Sequence, residues 1–140
     1  MPVVNLLIDI GNSNCKTAFC KGGELGEINR SSGEDMIGHI LTLIGDKEID
    51  VIVLSTVRED DLQMQQVLKE KCRKLVVMHS EMDLPAHFST GFPRKGLGVD
   101  RLAAALAVSM IFPGEDCIKF DFGTALTVDF ISGNGVFEGG

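Results

Sequence analysis

The sequence predicts a mixed α/β fold, and two features of its hydrophobic pattern support this prediction. Short apolar runs separated by glycine turns fill the chain up to residue 30, which indicates antiparallel strands joined by hairpins. Beyond residue 32, segments of helical periodicity alternate with continuous apolar runs, a pattern typical of helices that connect parallel strands. The chain has 140 residues and is 44% hydrophobic, so it is large enough to bury a core without disulfides or metals.

Three antiparallel strands are predicted at the start of the chain. Val3–Ile10 is a run of β-branched residues and leucines, and Cys15–Cys20 is a second short run after a glycine-containing turn. The Gly22–Gly23 pair marks another turn, and weak alternation over residues 24–30 predicts a third, more exposed strand.

Helices and buried strands are then expected to alternate. Ser32 and Asp35 resemble a capping box, and apolar residues recur at helical spacing up to Ile44, which predicts the first helix. Residues 61–74 predict a second, amphipathic helix. The buried strands predicted on either side of it are residues 51–54 and 75–78.

A long connection, residues 80–98, precedes an apolar helix predicted at Leu102–Ile111. Long structured connections commonly carry functional residues. We expect the first domain to span residues 1–115 and a second domain to begin within residues 116–140. The last strands are predicted at residues 117–122 and 126–131, with the start of another after the turn at 132–135.

Composition narrows the classes of partner. Thirteen Lys and Arg against twenty Asp and Glu give a net charge of -7, which disfavours a nucleic-acid partner because phosphate is repelled. The four cysteines lie mostly in apolar runs without a CxxC pair, as free thiols of a reducing compartment do. We find no leader and no long apolar segment, so we expect a cytoplasmic protein without membrane contact.

Two segments of the chain repeat one pattern. Ile8–Ser13 and Phe120–Ala125 each contain an apolar residue, an aspartate, an apolar residue, a glycine and then a small polar residue. A buried carboxylate is costly without a partner, and the backbone N–H groups of such a turn suit phosphate oxygens. Either segment alone is compatible with an ordinary hairpin, but two copies favour a pair of phosphate loops, with the aspartate holding Mg²⁺.

An acid and a base lie between the two copies. Asp100 and Arg101 follow Leu97–Val99 at the entrance of the apolar helix. Taken alone, Asp100 is compatible with a plain helix N-cap and Arg101 with a surface ion pair. The alternative is that the two residues take part in catalysis or substrate binding.

The ordered motifs Asp9–Lys16, Leu97–Arg101 and Asp121–Asp129 together resemble the signature of the type III pantothenate kinases. That family belongs to the acetate and sugar kinase, Hsc70 and actin superfamily. The resemblance implies a ribonuclease H-like domain with the beginning of a second similar domain. It also implies transfer of the γ-phosphoryl group of ATP to the terminal alcohol of pantothenate, the first step of coenzyme A biosynthesis.

The resemblance also implies a role for each motif residue. Asp9 is expected to hold Mg²⁺ and Asp121 a monovalent cation (K⁺ or NH₄⁺). Asp100 is expected to accept the proton of the pantothenate hydroxyl. Asp129 is a weaker candidate that would support the site from further away. The residues expected at the ATP phosphates are Asp9, Gly11, Asn12, Ser13, Lys16, Gly123 and Thr124. The residues expected to bind pantothenate are Phe92, Gly98, Val99, Asp100 and Arg101. The full-length family members are expected to be homodimers.

The chain departs from the family pattern in two respects. It has no Tyr, so Phe92 replaces the usual aromatic wall of the pantothenate pocket, and Pro93 comes one position early. Arg94 and Lys95 are equally compatible with a solvated basic face. The chain also ends before a second domain is complete, so we expect it to be inactive alone.

Two alternatives remain at this level. One is a non-catalytic relative that acts as an accessory or binding protein in transcription. The other is a kinase of the same superfamily with another small substrate, which the Leu97–Arg101 motif disfavours. The charged groups Asp9, Asp100, Arg101 and Asp121 favour the kinase, because a scaffold has no physical need for them beside glycine turns.

Overall fold

Residues 3–58 and 61–140 are described by the structure, a computed structural model. The chain divides into two compact units, Met1–Met78 and His79–Gly140. The domain boundary predicted between residues 115 and 116 falls inside the second unit and stays a prediction. Within the described residues no helix is long and apolar enough to cross a lipid bilayer.

The first unit is built on a mixed sheet. Its strands are β1 (Val4–Ile10), β2 (Asn14–Lys21), β3 (Glu24–Leu25), β4 (Asn29–Ser32), β5 (Ile49–Thr56) and β6 (Cys72–Val77). They lie in the order β3-β2-β1-β5-β6, with β4 also paired to β2. β1 is antiparallel to β2 and parallel to β5, and β5 is parallel to β6. The predicted change from antiparallel to parallel pairing is therefore confirmed.

The third predicted strand, residues 24–30, is two short strands in the structure. Both β3 and β4 pair with β2, but with different parts of it. Between them the Gly26 N–H donates to the Phe19 carbonyl at 2.8 Å. A Cβ at Gly26 would lie only 3.2 Å from that oxygen, so the close approach of the two backbones interrupts the strand here.

Two helices of the first unit begin at aspartate caps. In α1 (Met36–Ile44) Asp35 accepts from the Gly38 N–H at 2.9 Å, and in α2 (Leu62–Lys69) Asp61 accepts from Met64 at 3.0 Å. The capping box predicted at Ser32 is wrong, because Ser32 is the last residue of β4. The predicted end of α2 at Lys74 is also wrong, because Cys72–Lys74 pair with β5 as part of β6.

Both helices cover the same face of the sheet. Every second side chain of β1 and β5 points to this face and packs against the apolar side of α1 and α2. Burying each such side chain contributes about 1.5–3 kcal/mol, so this layer holds the unit together. The fully or nearly fully buried residues of this core include Leu6, Ile8, Ile10, Met36, Ile40, Ile44, Ile52, Leu54, Met64 and Leu68.

The second unit contains a helix and a smaller sheet. Its elements are β7 (Ser89–Thr90), α3 (Val99–Ile111), β8 (Cys117–Phe122), β9 (Leu126–Ile131) and β10 (Val136–Gly139). The strands lie in the order β7-β10-β9-β8. β9 is antiparallel to both β8 and β10, and β7 is parallel to β10. α3 begins three positions before the predicted Leu102, so its first turn includes Asp100.

The β8–β9 hairpin has two unlike faces. The inner face carries Ile131, which packs with Leu102 and Ala105 of α3. The outer face, which we call the β8–β9 apolar face, consists of Ile118, Phe120, Phe122, Leu126, Val128 and Phe130, all exposed. Phe122 is 81% exposed. Six exposed apolar side chains in one patch are unusual for a soluble surface.

Candidate functional site

Three polar side chains form one row across the sheet of the first unit. Asp9 on β1 lies opposite Lys16 on β2 and beside Ser55 on β5. Paired residues of neighbouring strands point to the same face, and this face is the one opposite the α1–α2 core. Asp9 is half-buried and Lys16 is exposed. Ser55 is only 7% exposed, and its Oγ has no hydrogen-bond partner among the described residues.

The turn after Asp9 is open toward solvent. The Gly11 N–H donates to the Asn14 carbonyl at 2.8 Å, which closes the turn, and Asn12 and Ser13 are exposed. A Cβ at Gly11 would meet only the Asn14 carbonyl, at an ordinary contact distance of 3.6 Å. Glycine is therefore not required here by backbone strain, and its effect is to leave the turn accessible.

The second unit repeats this hairpin. Asp121 on β8 lies opposite Thr127 on β9, and the Gly123 N–H donates to the Ala125 carbonyl at 3.3 Å. Asp121, Gly123 and Thr124 are all exposed. Both copies thus place an aspartate on the first strand of a hairpin, two residues before a glycine at the turn. Each copy belongs to its own unit.

Asp100 does not cap α3. The N-cap is Gly98, which provides no side-chain cap, and Asp100 lies exposed in the first turn. The interpretation of Asp100 as a plain N-cap is therefore wrong. Within the described residues its carboxylate takes part in no hydrogen bond and no ion pair, so it faces solvent at the positive end of the helix dipole.

Arg101, the next residue, forms an ion pair with a buried carboxylate. Its Nε donates to Asp129 Oδ1 at 3.2 Å and to Oδ2 at 3.4 Å, and its Nη2 donates to Oδ1 as well. The Asp129 side chain is fully buried, whereas 28% of the Arg101 side chain is exposed. This contact joins the first turn of α3 to β9.

Lys119 completes the cluster from the neighbouring strand. It lies opposite Asp129 in the β8–β9 pair, and its Nζ is 3.0 Å from Asp129 Oδ2. At this distance the ammonium and carboxylate groups attract each other as an ion pair. Burial alone would raise the pKa of Asp129, but the hydrogen bonds from Arg101 and the charge of Lys119 outweigh it and lower that pKa.

The residues before α3 are partly structural. The ring of Phe92 is half-buried and meets Phe137 edge-on, with 5.3 Å between centroids. Arg94 Nη1 donates to the Met82 carbonyl at 2.6 Å, whereas Lys95 is exposed. Arg94 therefore stabilises the connection before α3, and of the two residues only Lys95 fits a solvated basic face.

Ser55 and Lys119 are two residues that sequence reasoning missed. The signal for Lys119 was available, because it alternates with the apolar residues of its strand at the spacing of Asp121. Ser55 gave no such signal, because its proximity to Asp9 depends on the parallel register between distant segments. Within the described residues, no three of the His, Cys, Asp and Glu side chains form a group that could hold a metal ion on its own.

The features described so far define a mixed α/β protein that contains two Asp-x-Gly hairpins. It also carries an exposed carboxylate, which does not serve as a cap, in the first turn of a helix. The family profile described as type III pantothenate kinase matches residues 5–140. The chain belongs to the type III pantothenate kinase family.

Individual relatives agree with this assignment. The chain is 29% identical over 137 residues to the type III pantothenate kinase of Porphyromonas gingivalis strain W83, covering 97% of this chain and 54% of the relative. It is 33% identical over 142 residues to that of Teredinibacter turnerae, covering 98% of this chain and 56% of the relative. The chain thus spans about half the length of the curated relatives it matches.

A solved structure is also similar. It is the crystal structure of a conserved putative Baf family transcriptional activator from Campylobacter jejuni. The TM-score is 0.55 at 26% sequence identity, and the match covers 96% of this chain and 51% of that chain. The similarity again extends over nearly the whole chain and about half of the other protein.

Proposed function

We propose that this chain supplies the first half of an enzyme that transfers the γ-phosphoryl group of ATP to the terminal hydroxyl of pantothenate, the first step of coenzyme A biosynthesis. The observation that carries the proposal is Asp100, an exposed carboxylate without a structural partner among the described residues, beside the anchored Arg101. Family membership supplies the substrate class.

The finer fold assignment is part of this proposal. A sheet in which β1 is flanked by an antiparallel hairpin on one side and by parallel β5 and β6 on the other supports a ribonuclease H-like domain. The Asp-x-Gly hairpin of β8 and β9 supports the beginning of a second such domain, as in acetate and sugar kinases, Hsc70 and actin.

The first hairpin would hold the ATP phosphates and Mg²⁺. Mg²⁺ prefers oxygen ligands and keeps several waters, and the row of Asp9 and Ser55 offers a carboxylate and an unpartnered buried hydroxyl on one face. When bound, Mg²⁺ neutralises charge on the phosphates. Asn12 and Ser13 would bind phosphate oxygens through the open turn, and Lys16 would offset their charge.

The second hairpin would also bind phosphate. Gly123 and Thr124, both exposed, would contact phosphate through backbone N–H and hydroxyl groups. Asp121 is an exposed carboxylate close to the Gly123 turn, with Oδ1 3.8 Å from the position of a Gly123 Cβ. A carboxylate attracts a monovalent cation, K⁺ or NH₄⁺, and we propose that this ion binds at Asp121.

The proposed reaction needs positioning and charge stabilisation rather than a covalent intermediate. Asp100 would orient the pantothenate hydroxyl and accept its proton as the oxygen forms a bond to the γ-phosphorus and the bond to the ADP oxygen breaks. Arg101, held through Nε and Nη2 by Asp129, would present its exposed part to the polar end of the substrate. Phe92, Gly98 and Val99 would line the pantothenate pocket.

The chain alone would be inactive, because its relatives carry about as much chain again. We expect the full-length protein to be a cytoplasmic homodimer that binds neither nucleic acid nor membrane. The test is ATP turnover by a protein extended to the length of its relatives, assayed with pantothenate, a panel of sugars, and acetate. Turnover that depends on pantothenate alone supports the proposal, and turnover only with a sugar or acetate would instead indicate another kinase of the superfamily.

A second candidate is a binding role in transcription without catalysis. The similar Campylobacter protein, which carries the name of a putative transcriptional activator, favours it. The same assay separates the two candidates, because a binding protein turns over no ATP with any of these substrates. It would also tolerate substitution of Asp9 and Asp100, since no reaction depends on their carboxylates.

A further inference from the structure

Ser55 belongs to the row of polar side chains that crosses the sheet of the first unit. The parallel register between β1 and β5 pairs Ser55 with Asp9, and the antiparallel register between β1 and β2 pairs Asp9 with Lys16. Hydroxyl, carboxylate and ammonium groups therefore occupy adjacent places on one face, near the carboxyl ends of β1 and β5. Ligands of open α/β sheets commonly bind at this end of the strands.

The Ser55 hydroxyl is more than nine-tenths buried and has no hydrogen-bond partner among the described residues. Buried polar groups are nearly always paired, so an unpaired one calls for an explanation such as a bound ion or water. Thr17 provides a comparison on the same sheet. It is 3% exposed and also unpaired, but its register with Ile8 directs it to the opposite, apolar face.

We infer that Ser55 is a positioning residue for the metal at Asp9, with its hydroxyl hydrogen-bonded to the water shell of Mg²⁺. This inference rests on the proposed phosphate site at the first hairpin. Mg²⁺ gives up its waters reluctantly, and those waters need acceptors around the single carboxylate that holds the ion. Ser55 supplies such an acceptor from the strand next to Asp9.

The test measures Mg²⁺ binding and stability on the same variants of a protein extended to the length of its relatives. The Mg²⁺ concentration for half-saturation is determined calorimetrically at fixed ADP, and ADP affinity is determined again without metal. Ser55→Ala should raise the Mg²⁺ midpoint about fivefold, the effect of losing one ordinary hydrogen bond, and leave metal-free ADP affinity unchanged. The melting temperature of the ligand-free variant should stay equal or rise, because an unpaired buried hydroxyl has been removed.

Thr17→Val is the matched control, because it removes an equally buried hydroxyl from the other face. Its Mg²⁺ midpoint should stay within twofold of the wild type. A wild-type Mg²⁺ midpoint in Ser55→Ala would overturn the inference. So would an equal loss of ADP affinity without metal or a lower melting temperature, since either gives Ser55 a structural role.

Asp9→Asn separates failure of the inference from failure of the proposed function. If Asp9→Asn weakens Mg²⁺ binding and Ser55→Ala does not, only the role of Ser55 is wrong. If the wild type and Asp9→Asn bind Mg²⁺ and ADP alike, or neither binds them, the phosphate site is wrong and the role of Ser55 is overturned with it.

Discussion

Arg101 on α3 and Asp129 on β9 form an ion pair in which the carboxylate is completely buried. The pair fixes the first turn of the helix, where Asp100 lies exposed, against the strand that follows the second Asp-x-Gly turn. Arg101, a residue of the sequence motif, is thus held by Asp129. Because the Asp129 carboxylate is buried, replacing it should be costly.

Asp129→Asn should therefore destabilise the second unit strongly. The substitution leaves Arg101 and Lys119 facing a neutral amide, and removing one member of a buried ion pair commonly costs about 3 kcal/mol or more. Asp50→Asn is the control, because the Asp50–Arg73 pair is exposed, with 71% of the Arg73 side chain accessible. Denaturant unfolding should show a large loss for the first variant and little change for the second. Equal effects would contradict the structural role of Asp129.

The same carboxylate should make stability fall in acid. The pKa of Asp129 is lower in the folded chain than its ordinary value, so the unfolded chain binds this proton more readily. The stabilisation is therefore complete above the ordinary aspartate value, near pH 4, and is lost as the pH falls through the lowered pKa. Unfolding free energies of wild type and Asp129→Asn should converge as the pH falls below about 4. A constant difference down to pH 2 would show that the pair does not lower this pKa.

Gly11→Ala should separate folding from phosphate binding. A Cβ at Gly11 makes only one ordinary contact, so we expect a melting temperature close to that of the wild type. The methyl group would nevertheless cover part of the open turn, so ADP affinity should fall. Gly135→Ala provides the opposite case, because φ is +75° and a Cβ would lie 2.1 Å from the His87 carbonyl. That variant should lose stability, and a matching loss in Gly11→Ala would contradict the interpretation.

The β8–β9 apolar face should cause this chain to self-associate. Its exposed side chains would gain free energy by leaving water, at about 25 cal/mol for each Å² buried. Phe120, 58% exposed, lies near the middle of this face. Phe120→Lys should shift sedimentation toward the monomer without lowering the melting temperature. Leu25→Lys, at an exposed apolar site in the other unit, should leave association unchanged. An unchanged sedimentation profile for Phe120→Lys would exclude the face as the contact.

Local patterns predicted most of the elements. Strands β1, β2, β8 and β9 follow from apolar runs bounded by glycine turns, and α1 follows from the spacing of its core residues. The end of α2 was predicted five residues late because Cys72–Lys74 fit an amphipathic helix as well as a strand. The pairing of these residues with β5 depends on a distant segment, which a local pattern does not contain.

The site was predicted in part for the same reason. The hairpins at Asp9 and Asp121 are local, and so is the position of Asp100 near the start of α3. The anchoring of Arg101 by Asp129 and the closeness of Ser55 to Asp9 are tertiary, since each joins residues separated by 28 or more positions. Motifs therefore indicate candidate residues, whereas strand register shows which of them lie close together.

The most direct test of the proposed function is the turnover of Asp100→Asn in a protein extended to the length of its relatives, with pantothenate as substrate. Asparagine keeps the size of the side chain, and Asp100 caps nothing in α3, so the melting temperature should change little. Loss of the carboxylate should lower kcat by about 100-fold or more, with ATP affinity nearly unchanged. Turnover within a small factor of the wild type would contradict the assignment of Asp100 as the base.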